Sequence, residues 1–292
     1  MPEQDSVAFL GLGNMGAPMA RRLVAAGVDV LGFDPQDSAR AAFLAAGGRT
    51  ADSAAAAVAE SRVVVLMLPS SAVVEAVLAD LGESLRPGTT IIDMSSSDPL
   101  STRRLALECA TRDVTFIDAP VSGGVSGAQA GTLTIMCGGP AGAVSAVAEV
   151  LAPMGTPTLV GDSGAGHALK AINNLLAGVH LLAASEALAM GKRFGLDAEV
   201  MLSVLNTASG RSVATEQKLP RFVVPGTYDS GFAMALMIKD MRIATGLADA
   251  LGGPAVLGEH AVTLWDTAAA DLGPHADQTD IARWVLRDRQ ES

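Results

Sequence analysis

Between Gly161 and Asn174 the chain sets three glycines (Gly161, Gly164, Gly166), then Lys170, then the amides Asn173 and Asn174. The glycines allow tight turns and close approach by a ligand. Helical spacing begins after them, so Lys170 and Asn174, four apart, share one helix face. An amine beside amides can move a proton on a polar substrate. The neighbours Leu169, Ile172, Leu175, Leu176 and Val179 are apolar, which makes a lysine here conspicuous. A plainer reading stands beside this one: Lys170 snorkels to solvent and the two asparagines fray the helix start.

The elements before this stretch indicate what it serves. Val7–Leu10 reads as a short buried strand, and Gly11-Leu12-Gly13-Asn14-Met15-Gly16 follows it with G-x-G-x-x-G spacing. A helix pattern runs on through Met19 and Leu23 to a stop at Gly27, and a second strand, Val28–Phe33, ends at Asp34. Alone that glycine spacing is weak. Between a strand and a helix, with an acid 18 residues beyond Gly16, it is a dinucleotide-binding turn. The helix N terminus would face the phosphates. A carboxylate at Asp34 accepts hydrogen bonds from ribose hydroxyls and repels a 2′-phosphate, and Pro35 after it brings no positive charge. NAD is therefore expected in preference to NADP, with Arg40, on the next helix, as the one contrary feature.

The alternation continues. Helices are expected over 38–46, from an Asp52 cap, over 71–81, from Pro99 to Ala110 with Asp98 as N-cap, and over 140–151. Strands are expected over 62–68, 89–93, 114–118, 133–137 and 157–160. The loops after two of them, Pro69-Ser70-Ser71 and Ser95-Ser96-Ser97, fall at carboxyl ends of strands, where open parallel sheets bind ligands. After the strand at 114–118, Ser122-Gly123-Gly124 offers a hydroxyl and bare N–H groups, either a carboxylate cradle or a flexible loop. From Gly164 onward only helical patterns remain, broken near Gly195, Thr207–Gly210, Pro225-Gly226 and Gly252–Pro254. The expected architecture is an α/β Rossmann-type domain over 1–163 and an all-α domain over 164–292.

The bulk properties narrow the function classes. A net charge of −11 argues against nucleic acid as a partner. Cys109 and Cys137 have neither metal-ligand spacing nor a disulfide framework, so no metal is expected. The apolar run from Leu175 to Met190 carries His180, Ser185 and Glu186 and reads as a buried helix of a soluble, cytoplasmic protein without a membrane partner.

Four blocks together resemble the β-hydroxyacid dehydrogenase family, typified by 3-hydroxyisobutyrate dehydrogenase and tartronate semialdehyde reductase. They are Phe9–Ala20, Asp118–Gly124, Gly164–Asn174 and Lys239–Ala244, and they span nearly the whole chain. The resemblance implies that the 11–16 turn binds the dinucleotide, bordered by Leu68, Pro69, Val73 and Ser96. It implies that Ser122, Gly123 and Gly124 hold a small carboxylate substrate, that Lys170 is the general acid/base, that Asn174 positions the substrate, and that Asn173 also contacts the substrate. Lys239 would lie near the cofactor. Val73 departs from the polar residue often found there, and Arg242 replaces a commoner apolar or small one. A homodimer or homotetramer is also implied.

The chemistry is coherent. Oxidising a hydroxyl by hydride transfer requires removal of the O–H proton, which a lysine performs if its pKa falls toward neutrality. Arg211, in the loop Ala208–Ser212, is a candidate carboxylate clamp or a solvated loop arginine. Two other classes compete: an imine reductase-like enzyme, in which another group such as Asp or Tyr replaces the lysine, and a non-catalytic NAD-binding module.

Overall fold

The computed structural model describes residues 6–287. The chain divides into two compact units, Met1–Lys170 and Ala171–Ser292.

Among the described residues, nine strands run through the first unit: β1 (Ser6–Leu10), β2 (Val30–Phe33), β3 (Arg49–Thr50), β4 (Ser61–Leu66), β5 (Thr90–Asp93), β6 (Thr115–Asp118), β7 (Val121–Ser122), β8 (Leu133–Gly138) and β9 (Gly155–Gly161). Their order in one sheet is β3-β2-β1-β4-β5-β6-β8-β7, with β9 beside β8. The first six are parallel in the doubly wound dinucleotide-binding order. β8 then runs antiparallel to β6 and β7.

Helices cover both faces: α1 (Gly16–Ala25), α2 (Asp37–Ala45), α3 (Ala54–Ala59), α4 (Ser71–Leu81), α5 (Pro99–Ala110), α6 (Gly124–Ala130), α7 (Ala141–Ala146) and α8 (Ala148–Leu151). The strands show why. Val7 and Phe9 of β1 enter one core with Met19 and Leu23 of α1, whereas Ala8 and Leu10 enter a second core with Leu78 and Leu105. Successive side chains on a strand point to opposite faces, so a strand buried on both sides is apolar throughout.

Some boundaries differ from the sequence expectation. Ser53, not Asp52, caps α3, its hydroxyl accepting from Ala56 N–H at 3.0 Å. The helix expected over 140–151 is broken at Val147, whose backbone leaves the helical region while its side chain enters the first core. β3 and α6 were not foreseen, being only two and seven residues long.

The helix α9 (Ala165–Phe194) begins in the first unit and continues into the second. It is long and apolar enough to cross a membrane by length and composition alone. Its Leu181, Leu182 and Leu188 instead enter the core of the second unit, around Trp265. That unit continues with α10 (Ala198–Leu205), a π-helical stretch at Ala214–Val223, α11 (Met234–Ala250), α12 (Val256–Leu272) and α13 (Asp280–Leu286). Among the described residues the unit is all-helical, apart from an isolated bridge between Ala233 and Asp277.

Candidate active site

The turn between β1 and α1 is shaped by its glycines. At Gly11, φ is +98°, and a Cβ would run into the Met67 carbonyl oxygen. A Cβ at Gly16 would strike the Gly11 carbonyl oxygen. At Gly13 a Cβ would meet nothing within 4 Å, so bare backbone faces open space there. No side chain caps α1 and no acid lies in its first turn, which leaves its N–H groups available to an anion. A cavity of about 480 Å³ opens here, lined by Leu12, Gly13, Asn14, Arg21, Gln36 and Ser38 among others. Leu12 is itself buried, Asn14 exposed and Met15 half-buried.

Asp34 stands at the end of β2. Its Oδ2 accepts the Leu12 N–H at 2.8 Å and its Oδ1 the Gln36 N–H at 2.9 Å. Each oxygen keeps a lone pair for a further donor. Arg40 is engaged elsewhere: it donates to the Asp34 carbonyl oxygen, pairs with Asp37, and sits 5.5 Å from the Phe33 ring centroid. These residues fit a dinucleotide with free ribose hydroxyls.

The loops after β4 and β5 are joined. Ser95 is buried, and its hydroxyl accepts the Leu68 N–H at 2.9 Å. Ser97, also buried, donates to Asp93 Oδ2 at 2.9 Å. The triple serine is therefore a fixed turn, with Ser96 half-buried between its neighbours. Pro69 lies exposed on the β4 loop, and Val73, in the first turn of α4, is 37% exposed. Asp98 caps α5 as expected, accepting from the N–H groups of Leu100 and Ser101. Farther along the sheet, Ser122 ends β7, while Gly123 and Gly124 both adopt positive φ and lead into α6. A Cβ at Gly124 would meet nothing within 4 Å, so this backbone too is open.

The start of α9 is held by buried charge. Asp118, at the end of β6, accepts the Gly164 N–H at 2.8 Å and the His167 N–H at 2.9 Å. Gly166 permits the approach, since a Cβ there would run into the Met136 carbonyl oxygen. Lys170 follows one turn later, half-buried, and Asn173 and Asn174 continue the same helix.

Within the second unit, four polar side chains form a line. Asn173 Nδ2 donates to Asn174 Oδ1 at 3.0 Å, and Asn174 Nδ2 donates to Asp240 Oδ2 at 2.6 Å. Lys239 Nζ lies 3.3 Å from Asp240 Oδ1. Asp240 is 3% exposed, and its Oδ2 holds the Asn174 side chain in place. Arg242 pairs with Asp266 at 2.7 Å, tying α11 to α12. Arg211 is exposed, with Nε 2.6 Å from Glu216.

A model of the NAD-binding domain of 6-phosphogluconate dehydrogenase matches residues 6–163. A model described as the NAD-binding domain of NADP-dependent 3-hydroxyisobutyrate dehydrogenase matches residues 164–285. The solved 3-hydroxyisobutyrate dehydrogenase of Mycobacterium tuberculosis with L-serine is 36% identical, with a TM-score of 0.92 over 97% of this chain and 100% of that one. The chain belongs to the β-hydroxyacid dehydrogenase family. Among its relatives, the 2-(hydroxymethyl)glutarate dehydrogenase of Eubacterium barkeri is 40% identical over 84% of this chain and 82% of that protein. The NAD-dependent L-serine dehydrogenase of Pseudomonas aeruginosa is 38% identical over 89% of this chain and 90% of that protein.

As a β-hydroxyacid dehydrogenase the protein is an NAD-dependent oxidoreductase, and the match to the NAD-binding domain covers the turn at Gly11–Gly16. Neither Asp240 nor the buried Asp93, Asp118 and His167 carries a signal in the sequence that marks it as part of a site. An aspartate after a β-strand reads as a strand stop, and one beside Lys239 reads as a surface pair. Cys109 and Cys137 are buried, and burial pushes both thiols up to about 11, which removes them as nucleophiles near neutral pH.

Proposed function

We propose that this dehydrogenase interconverts a small β-hydroxy acid and its aldehyde or keto acid, with Lys170 as the general acid/base. The observation that carries the reading is the helix α9, which presents Lys170 and Asn174 one turn apart behind a glycine turn anchored by Asp118. A bound nicotinamide would supply the hydride-acceptor chemistry at the carbinol carbon. The neutral Lys170 amine takes the hydroxyl proton as that C–H bond breaks and returns it in the reverse direction. Ser122 and the N–H groups of Gly123 and Gly124 receive the substrate carboxylate. Asn174, held by Asp240, orients the hydroxyl, and Asn173 holds Asn174 in turn. Lys239 is assigned a cofactor-binding role, as are Leu68, Pro69, Val73 and Ser96. Residues 1–163 are assigned to the cofactor domain and residues 164–292 to the substrate and oligomerisation domain, although the compact units divide after Lys170.

The test is a panel of β-hydroxy acids and cyclic imines followed by NADH formation or consumption. Turnover of acids alone supports the reading. Turnover of imines alone makes the protein an imine reductase, and turnover of neither leaves an NAD-binding module.

Arg211 is proposed as a second contact for the carboxylate, reached when its pair with Glu216 opens. Arg211→Ala then raises KM for the acid far more than KM for NAD. An unchanged KM returns Arg211 to its loop ion pair.

The protein is proposed to be a cytoplasmic homodimer or homotetramer. Phe194 is 85% exposed, and Met190, Val200, Leu251, Val256 and Leu257 are exposed as well, large apolar side chains that a subunit interface would cover. Light scattering is expected to return a multiple of 29.6 kDa, and a mass near 29.6 kDa at micromolar concentration contradicts this. Recovery in the membrane fraction of lysed cells contradicts the placement in the cytoplasm.

A further inference from the structure

Arg21 lies on α1, three residues beyond Pro18 and four beyond Ala17, so the three share one face of that helix. Helical side chains lean toward the N terminus of their helix. Ala17 and Pro18 are short, and a long side chain at position 21 can pass over them toward the Gly11–Gly16 turn. Arg21 lines the same cavity of about 480 Å³ as Gly13 and Asn14 of that turn.

The charge around this cavity is one-sided. Among the described residues that line it, Arg21 alone carries a charge, in a chain whose net charge is −11. The neighbouring charged groups are engaged elsewhere. Arg22 donates to the Pro153 carbonyl oxygen at 3.2 Å, Asp34 accepts the Leu12 and Gln36 N–H groups, and Asp37 pairs with Arg40. Arg21 is exposed and has no hydrogen-bond or ion-pair partner among the described residues. A lone cation in a cavity without an acidic side chain, at the start of a helix, suits an anion. An arginine fork gives a phosphate two parallel N–H donors.

We propose that Arg21 is a cofactor-binding residue that pairs with the diphosphate of the dinucleotide, a contact outside the G-x-G-x-x-G turn itself. The proposal rests on the placement of the cofactor at that turn. The turn offers steric room and backbone N–H groups but no formal charge, whereas the diphosphate is a dianion. Arg21 supplies the side-chain charge from the outer face of α1. The other anion a nicotinamide cofactor can bring, the 2′-phosphate of NADP, falls beside Asp34, whose carboxylate repels it.

The test is titration calorimetry of NAD into the full-length protein without substrate, so that the readout does not depend on turnover. Arg21→Ala is expected to raise the Kd for NAD by roughly 10-fold, the worth of one charge-assisted contact. Arg21→Lys, which keeps the charge and loses the fork, should recover part of that loss. The wild-type Kd should rise more steeply with salt than that of Arg21→Ala, because ionic strength screens an exposed charge pair. Arg21 is exposed, so both variants should fold, which thermal unfolding checks.

Gly13→Ala is the control for the placement. A Cβ at Gly13 meets nothing within 4 Å, so the fold accommodates it, yet it fills the space through which the diphosphate approaches. Weaker NAD binding in Gly13→Ala with unchanged binding in Arg21→Ala overturns the Arg21 contact alone. Unchanged binding in both variants overturns the placement of the cofactor and the Arg21 contact with it. A loss in Arg21→Ala confined to NADP assigns the arginine to the 2′-phosphate and overturns the diphosphate contact.

Discussion

Lys170→Ala is expected to lower kcat by roughly 100- to 10,000-fold, the usual worth of a general acid/base. NAD affinity should hardly change, because the Gly11–Gly16 turn and Asp34, the groups that fit the dinucleotide, are untouched. Lys170→Arg should fail almost as badly. A guanidinium stays protonated near neutral pH, so it can offer charge but cannot accept the hydroxyl proton. In the oxidation direction the wild-type rate should rise with pH as the amine deprotonates and then level. Both variants should lack that rise. Measuring kcat against pH for the three proteins checks this, and a Lys170→Ala enzyme that keeps most of its kcat ends the lysine mechanism.

NAD should be used better than NADP, with kcat/KM higher by about 10-fold or more, corresponding to about 1–3 kcal/mol. The Asp34 carboxylate is fixed by the N–H groups of Leu12 and Gln36, so it cannot swing away from a 2′-phosphate without losing both. Arg40 could welcome that phosphate, but it would have to leave Asp37 and the Asp34 carbonyl oxygen to do so. Kinetics with both cofactors decide the matter. Equal or better use of NADP would mean that Arg40 makes that move.

The features legible in the sequence are those with local causes. Asp98-Pro99 marks the start of α5 because the cap and the missing proline N–H act within one turn. The G-x-G-x-x-G turn is legible because each glycine answers a steric need of the turn itself. The α3 cap was misplaced by one residue because Asp52 and Ser53 are both good caps, and the choice between them is made by backbone register. The break at Val147 follows from the demand of the core on one side chain, which no helical pattern encodes.

The site divides in the same way. Lys170 and Asn174 could be paired from spacing alone, because one helix fixes their relation. His167 could not be paired with Asp118, nor Asn174 with Asp240, which lies 66 residues away in the chain. Such pairs exist only once strand ends and helices have been brought together. The triple serine shows the intermediate case. Its position after β5 was readable, but the burial of Ser95 and Ser97 was not, because it depends on Leu68 and Asp93 as partners.

The central claim is hydride transfer from the carbinol carbon of a β-hydroxy acid to NAD. The most direct test uses an acid that the panel shows to be turned over, carrying deuterium at that carbon. Mass spectrometry of the product cofactor is expected to find the deuterium on the nicotinamide ring. An unlabelled cofactor, with the deuterium retained in the acid or released to water, would contradict the account.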